Sequence, residues 1–302
     1  MQYSLMTEPQ TGGTYDQILR AARLAESEGL HSFARSDHLA WSTASPADAT
    51  DAFATVAGLA RETETVRLCV LVTPITFRHP AIIAKNAATI DQMSGARLDL
   101  GVGTGWNEYE HEALGIPFPP PSERWSRLED AIGYLLAAFG DGHGRHSGPH
   151  YDLDLDVRPK PGGIRLVVGG TGKLRTPTLA GSLADEYNIF VCPPEVARAR
   201  ISVMRDAAGS RKVEATMMGP VTVAASETEL SEKTEKAASR RGISSEEMVS
   251  RWDDKGVLYG TPGQLRERIA ALEDVGVERI YLQWFDLADY DGMARMLELV
   301  RG

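Results

Sequence analysis

The segment "SDHLAW" (Ser36 to Trp41) places a carboxylate, Asp37, beside an imidazole, His38, with an indole, Trp41, just beyond. A histidine can donate to or protonate a bound ligand near neutral pH, and an adjacent carboxylate can fix its tautomer. The same histidine could instead cap a loop. A second candidate is "GGTGKLR" (Gly169 to Arg175), where small residues with free N–H groups precede a helical pattern and Lys173 and Arg175 add positive charge. That combination is competent to hold a phosphate, although an ordinary tight turn has similar residues. Glu8 follows the first apolar segment and is a further acid/base candidate.

A third candidate, "GVGTGWNE" (Gly101 to Glu108), has glycines at 101, 103 and 105 after an apolar run. A dinucleotide cradle would run straight into a helix whose N-terminus holds the pyrophosphate. Here Pro117, Pro119, Pro120 and Pro121 predict a helix starting only near Ser122, so that context fails. A loop of small residues followed by Trp106, Asn107 and Glu108 suits close approach of a flat ring to the backbone. Arg78 can contact an anion or pair with a carboxylate, and His79, before Pro80, reads as structural. His143, His146 and His150 in "DGHGRHSGPH" match no metal-ligand spacing on a helix or strand, and no metal is expected. Nucleophile-elbow, Walker and zinc signatures do not occur.

These residues need elements to position them. Strands are predicted at Tyr3 to Met6, Leu30 to Arg35, Val66 to Val72, Arg97 to Val102, Ile164 to Val168, Glu186 to Val191, Ala215 to Ala224 and Arg279 to Phe285. Helical patterns fall between them. One runs from about Thr14 to Glu28, with Tyr15, Ile18, Ala22 and Ala25 on one face and Gly29 as its stop. "TPGQ" at Thr261 to Gln264 is a capping box with proline at the first helical position. Helix, glycine and strand recur as "AESEGLHSF" and "LEDVGVERIYL", two copies of one unit. Alternation of this kind implies a parallel sheet with right-handed crossovers, and eight units predict an α/β fold of the (β/α)8 TIM-barrel type, with a doubly wound sheet as the alternative. Insertions are expected at about 141–163, as an excursion, and at about 231–252, as a charged helical segment. No linker divides residues 1–302, so one domain is expected. In such a barrel the site lies where strands end, and each candidate above falls there.

Composition sets outer limits. The chain has 302 residues, enough for a sizeable core, with 42% hydrophobic and 25% charged residues. A net charge of −10 argues against nucleic acid or an anionic membrane as partner. Cys69 and Cys192 are far apart and read as reduced thiols. The first residues have no signal-peptide pattern, and no run of about 18 apolar residues occurs, so a cytoplasmic protein is expected.

Together, "AARLAESEGLHSFARSDHL", the long block from "VRLCVLVTP" through "GVGTGWNEYEHEALGIPFPPPSERWSRLEDAI", "LVVGGTGKLRTPTLAGSLADEYNIF" and "YGTPGQLRERIAALEDVGVERIYL" resemble the bacterial luciferase-like flavin monooxygenase superfamily, closest to its branch that uses the deazaflavin coenzyme F-420. The resemblance implies a TIM-like barrel with the coenzyme ring across the strand ends. It implies a coenzyme site of Asp37, Leu71, Val72, Thr73, Gly103 and Asn107, with the phosphate at Gly169, Gly170, Thr171, Gly172 and Arg175. His38 would stand beside the ring, His38, Glu108 and Glu8 would be the catalytic candidates, and Trp41 and Trp106 would line the substrate pocket. The family often has a cis peptide at the end of strand three, here Leu71–Val72. Two departures stand out: Cys69-Val70 replaces the usual Gly-Thr in strand three, and Trp106 occupies the place of a glutamate in the family's sugar-phosphate dehydrogenases, which argues against that chemistry. The activity implied is hydride transfer between F-420 and a small organic substrate. The alternatives are a reduced-FMN-dependent monooxygenase and a catalytically silent flavin-binding protein. A monomer or homodimer is expected.

Overall fold

The computed structural model describes residues 1–41 and 47–301. In chain order the elements are β1 (Gln2–Thr7), α1 (Tyr15–Ser27), β2 (Ser32–Arg35), α2 (Ala52–Glu62), β3 (Arg67–Pro74), α3 (Pro80–Ser94), β4 (Leu98–Gly103), α4 (Glu108–Leu114) and α5 (Pro121–Phe139). They continue with β5 (Gly144–Ser147), β6 (Asp152–Leu155), β7 (Arg165–Gly170), α6 (Arg175–Leu183), β8 (Glu186–Phe190), α7 (Pro194–Ala208), β9 (Glu214–Val223), α8 (Glu227–Ser239), α9 (Ser245–Lys255), β10 (Leu258–Gly260), α10 (Pro262–Asp274), β11 (Arg279–Trp284) and α11 (Tyr290–Arg301).

Eight parallel strands close a ring in the order β1, β2, β3, β4, β7, β8, β9 and β11, with β11 returning to β1 from Gln2 beside Arg279 to Thr7 beside Trp284. This is the expected (β/α)8 barrel. Its strands alternate between two surfaces, as the period of two requires. On β11, Ile280 and Leu282 join the large layer beneath the helices, while Tyr281 joins Met6, Ala34, Cys69, Leu71 and Val167 in a separate cluster inside the ring. The ends of α1 and α10 follow local rules. The Thr14 amide donates to Gln17 Oε1 at 2.9 Å, and the Thr261 amide donates to Gln264 Oε1 at 2.8 Å.

The barrel's lower end holds a buried charge network. Arg279, fully buried, pairs with Glu186 and reaches Glu214 at 3.2 Å, while Arg165 holds Glu214 at 2.6 Å and Arg67 holds Asp99 at 2.7 Å. Tyr281 and Thr216 hydroxyls donate to Glu186 at 3.0 and 2.7 Å. Burial raises the Glu186 carboxyl above its ordinary range even with Arg279 beside it. A buried ion needs such partners to remain charged.

Several elements differ from the sequence expectation. A helix, α4, follows the glycine loop directly instead of waiting for Ser122, because "EYEHEAL" consists of good helix formers; Gly115, at φ +69°, ends it, and the prolines only separate it from α5. The 141–163 excursion contains an antiparallel hairpin, β5 with β6. The charged 231–252 segment is helical, but α8 begins earlier, at Glu227. α2 and the short β10, which pairs in parallel with the end of β9, depart from the sequence expectation. No helix among the described residues is long and apolar enough to cross a membrane.

Candidate active site

His38 follows β2 at the C-terminal face of the barrel. Its Nδ1 lies 2.8 Å from Glu110 Oε1, and Glu110 Oε2 accepts from the amides of Leu39 at 3.0 Å and Ala40 at 3.4 Å. Glu110 is fully buried in α4 and fastens the loop after β2. An ionised carboxylate only accepts, so against it Nδ1 carries the hydrogen, and Nε2 has no hydrogen-bond partner among the described residues. The ring is held edge-on by two indoles, with centroids 5.6 Å from both Trp41 and Trp106 and the indoles 5.9 Å apart. Of the two acidic residues in the first turn of α4, Glu110 and not Glu108 meets the histidine; Glu108 is exposed to solvent.

Asp37 does not orient His38. Its two oxygens take Arg78 Nη1 at 2.5 Å and Nη2 at 3.3 Å, and Arg78 also holds Asp51 at 2.5 Å. Arg78 is therefore a carboxylate partner, and Thr73 Oγ1 accepts from it at 3.4 Å. Asp51 caps α2 by accepting from the Ala54 amide at 2.8 Å; burial opposes ionisation, but that amide and Arg78 outweigh it and lower the Asp51 carboxyl. Asn107 is buried at the head of α4. Its carbonyl accepts from His111 Nδ1 at 2.7 Å, and His111 Nε2 accepts from Thr76 at 2.7 Å. His79 caps α3 through the Ala81 amide.

Strand β3 skips register with β4 between Val70 and Thr73, and the Leu71–Val72 peptide is cis. The Cys69-Val70 substitution therefore leaves the bulge in place. Leu71 packs inside the barrel, and the Val72 side chain nests among glycines. A Cβ on Gly103 would lie 2.8 Å from Val72 Cγ2. One on Gly101 would lie 2.8 Å from Val72 Cγ1 and 2.4 Å from the Val70 carbonyl oxygen, and one on Gly169 would lie 3.1 Å from Val72 Cγ1. Gly101 and Gly103 thus make room first for a side chain of the neighbouring strand.

Across the mouth, Glu8 is buried after β1. It accepts from Gln10 Nε2 at 2.6 Å and Gln283 Nε2 at 2.5 Å, while the Ser36 hydroxyl donates to Gln10 Oε1 at 2.7 Å. Gln10, Ser36, Gln283 and Glu110 escaped the sequence reading. The strand period does place Gln283 inward with Tyr281, but nothing local marks its partner 275 residues away.

The Gly169–Gly172 turn leaves β7 and enters α6, whose first residue is Arg175 and whose N-cap, Leu174, makes no side-chain hydrogen bond. Thr171, Lys173 and Arg175 are exposed, and Arg175 lies 5.8 Å from the Trp125 ring centroid. The amides of Arg175 and Thr176, with two adjacent cations, fit a phosphate chemically, while Pro177 offers no N–H. A side chain at Gly172 would force Thr176 to move, since its Cβ would lie 2.4 Å from Thr176 Oγ1. The excursion's histidines are bound elsewhere: His146 to Asp130 at 2.6 Å, His150 to Ser126 at 2.8 Å and His143 to Asp154. Among the described residues no group of three or more His, Cys, Asp or Glu comes together to hold a metal.

A family model described as luciferase-like monooxygenase matches residues 1–279. The FMNH(2)-dependent dimethylsulfone monooxygenase of Pseudomonas fluorescens is 27% identical over 257 residues, covering 74% of this chain and 70% of that protein. The F-420-dependent glucose-6-phosphate dehydrogenase of Microbacterium testaceum is 31% identical over 175 residues, 57% of this chain and 52% of that protein, so the chain matches about half its length. The crystal structure of monooxygenase RslO1 from Streptomyces bottropensis superposes with a TM-score of 0.80 at 20% identity, covering 99% of this chain and 97% of that one, a likeness of fold.

Proposed function

The chain belongs to the luciferase-like monooxygenase family, and from that membership we propose an oxidoreductase that works with the deazaflavin coenzyme F-420 on a small organic substrate carrying a C=C, C=N or carbonyl group. The observation that carries the reading is the His38–Glu110 pair, with the imidazole set between Trp41 and Trp106 at the end of β2. Bound F-420 supplies hydride transfer at a ring carbon, whereas reduced FMN, with nitrogen at that place, supplies oxygen activation.

The chain's own residues bind, orient and hold a proton. The Gly169–Arg175 turn takes the coenzyme phosphate on the α6 amides, with Lys173 and Arg175 adding charge. The β3 bulge presents Val72 at the floor of the ring site. His38 Nε2 donates to or accepts from the reacting pair, and Glu110 stabilises the imidazolium when it forms. Trp41 and Trp106 flank it and offer apolar faces to a substrate. The segment "GVGTGWNEYEHEALG" supports the deazaflavin branch by its resemblance. The FMN alternative is supported by the FMNH(2)-dependent dimethylsulfone monooxygenases of two Pseudomonas species, each of which matches 74% of the chain.

Titration of the purified chain with each coenzyme, followed by fluorescence, tests the assignment. The expected result is tight binding of F-420. Submicromolar binding of FMN with no binding of F-420 overturns it in favour of the monooxygenase, and binding of neither favours a silent protein.

A further inference from the structure

We propose that the mouth takes an uncharged, largely apolar substrate bearing one hydroxyl or N–H donor, and that Gln283, oriented by Glu8, reads that donor; this rests on the reading of the mouth as a coenzyme-linked substrate site and names its substrate class.

The inward residues of β11 form a ladder from the charged base to the mouth. Arg279 lies in the ion network and Tyr281 in the inner apolar cluster. Gln283 is the next inward residue and is buried. Its orientation is set by Glu8, whose Oε1 accepts from Gln283 Nε2. Turning the amide over would place its carbonyl oxygen against the carboxylate, so Nε2 faces Glu8 and Oε1 faces away. Gln283 Oε1 has no hydrogen-bond partner among the described residues. A buried acceptor left this way carries a desolvation penalty, which a donor on a ligand recovers. Glu8 adds the same bias. It accepts from two neutral amides, Gln10 and Gln283, and a carboxylate has about four acceptor sites. This side of the mouth therefore has acceptors in excess and negative charge. It suits a neutral donor and repels a carboxylate or phosphate.

The rim has the opposite character. Trp41, Trp106, Phe190 and Phe285 are 42%, 66%, 40% and 44% exposed. They come from the ends of β2, β4, β8 and β11, which open on the same face of the barrel. Phe285 is tied to the Glu8 turn, because the Thr11 hydroxyl bonds the carbonyls of both Glu8 and Phe285 at 2.8 Å. An apolar body covers the rim while its donor reaches Gln283 Oε1 below, an atom with almost no accessible surface, so binding requires the side chains over it to part. A site built to hydrogen-bond such a donor discriminates strongly against an analogue lacking it, because its own polar group is then left unpaired.

The test compares two neutral probes of equal apolar bulk, 4-tert-butylcyclohexanol and its methyl ether, titrated into the full chain by calorimetry or ligand-observed saturation-transfer NMR. The alcohol is expected to bind about tenfold tighter or more. Gln283→Met removes the acceptor at similar length and is expected to bring the two probes within about twofold, the ether's affinity being held. Glu8→Gln supplies an N–H that can satisfy Gln283 Oε1 from within, so the preference should fall there too; this variant decides the matter if Gln283→Met does not fold. Phe285→Ser, at an exposed position, should weaken both probes alike and leave their ratio. Equal binding of the two probes, binding of neither, or a preference that survives in the folded variants overturns the assignment. Coenzyme titration of the same samples separates it from the coenzyme reading, since a chain that binds no F-420 yet still prefers the alcohol loses that reading and keeps this one.

Discussion

His38 and Glu110 meet at 2.8 Å although they stand 72 residues apart, and the contact anchors the imidazole through Nδ1. The pair acts as a unit, so its members should not behave additively. His38→Ala is expected to lower coenzyme-dependent kcat/KM by about 10²–10⁴-fold, the usual worth of a positioned acid/base group, with unchanged circular dichroism. Glu110→Gln keeps an oxygen for Nδ1 but loses the charge, and a loss of ~10–100-fold is expected. The double variant should be little worse than His38→Ala alone. Undiminished turnover in His38→Ala would remove the histidine from the chemistry.

Val72 and the glycines facing it yield a prediction with internal contrast. Gly103→Ala puts a methyl 2.8 Å from Val72 Cγ2, and Gly101→Ala puts one 2.4 Å from the Val70 carbonyl oxygen. Each should destabilise by ~1–3 kcal/mol through overpacking. Val72→Ala removes the obstacle only in the first case. Thermal melts should therefore show the Gly103→Ala loss largely relieved in the double variant and the Gly101→Ala loss retained. Equal rescue of both would mean that the bulge shifts as a body.

The barrel was legible because buried parallel strands read as nearly continuous apolar runs, and the eight segments read as strands all contribute to the ring. α2 was not, since its "AFATVAGLARE" is rich in small residues; Gly58 is there because a Cβ would lie 2.5 Å from the Tyr15 hydroxyl, a fact of packing between α1 and α2. At the site, strand ends led to His38 but not to its partner. Glu110 lies inside a helix and turns back to the mouth, while the neighbour in sequence, Asp37, turns to Arg78. Side-chain direction separated Glu110 from Glu108, and residue type could not. The glycines of "GVGTG" were legible as a need for space, but what fills it, Val72, depends on the bulge of another strand.

The phosphate reading makes Lys173 and Arg175 electrostatic contacts on an exposed turn. Lys173→Ala and Arg175→Ala should each weaken coenzyme binding about three- to tenfold at low salt, with the deficit shrinking as ionic strength rises through about 0.15 M. Arg175 also stands over Trp125, so its loss should change tryptophan emission where Lys173→Ala does not. Equal affinity of wild type and both variants at low salt would place the phosphate elsewhere.

The base of the barrel carries a pH dependence of its own. Burial, and then the positive charge of Arg279, push the His31 imidazole down to about 4, against an ordinary value of 6.5. The folded chain therefore resists a proton that the unfolded chain accepts. Stability from this group is complete above pH 6.5 and drains away as pH falls toward 4, because unfolding then takes up a proton. His31→Gln removes the titration. Other carboxylates titrate in both proteins, so the quantity to follow is the difference in Tm between wild type and variant. That difference should move in the variant's favour as pH is lowered from 7 to 4, with the change concentrated below 6.5. A difference that stays constant across the range would show that His31 accepts its proton as readily in the folded barrel as outside it.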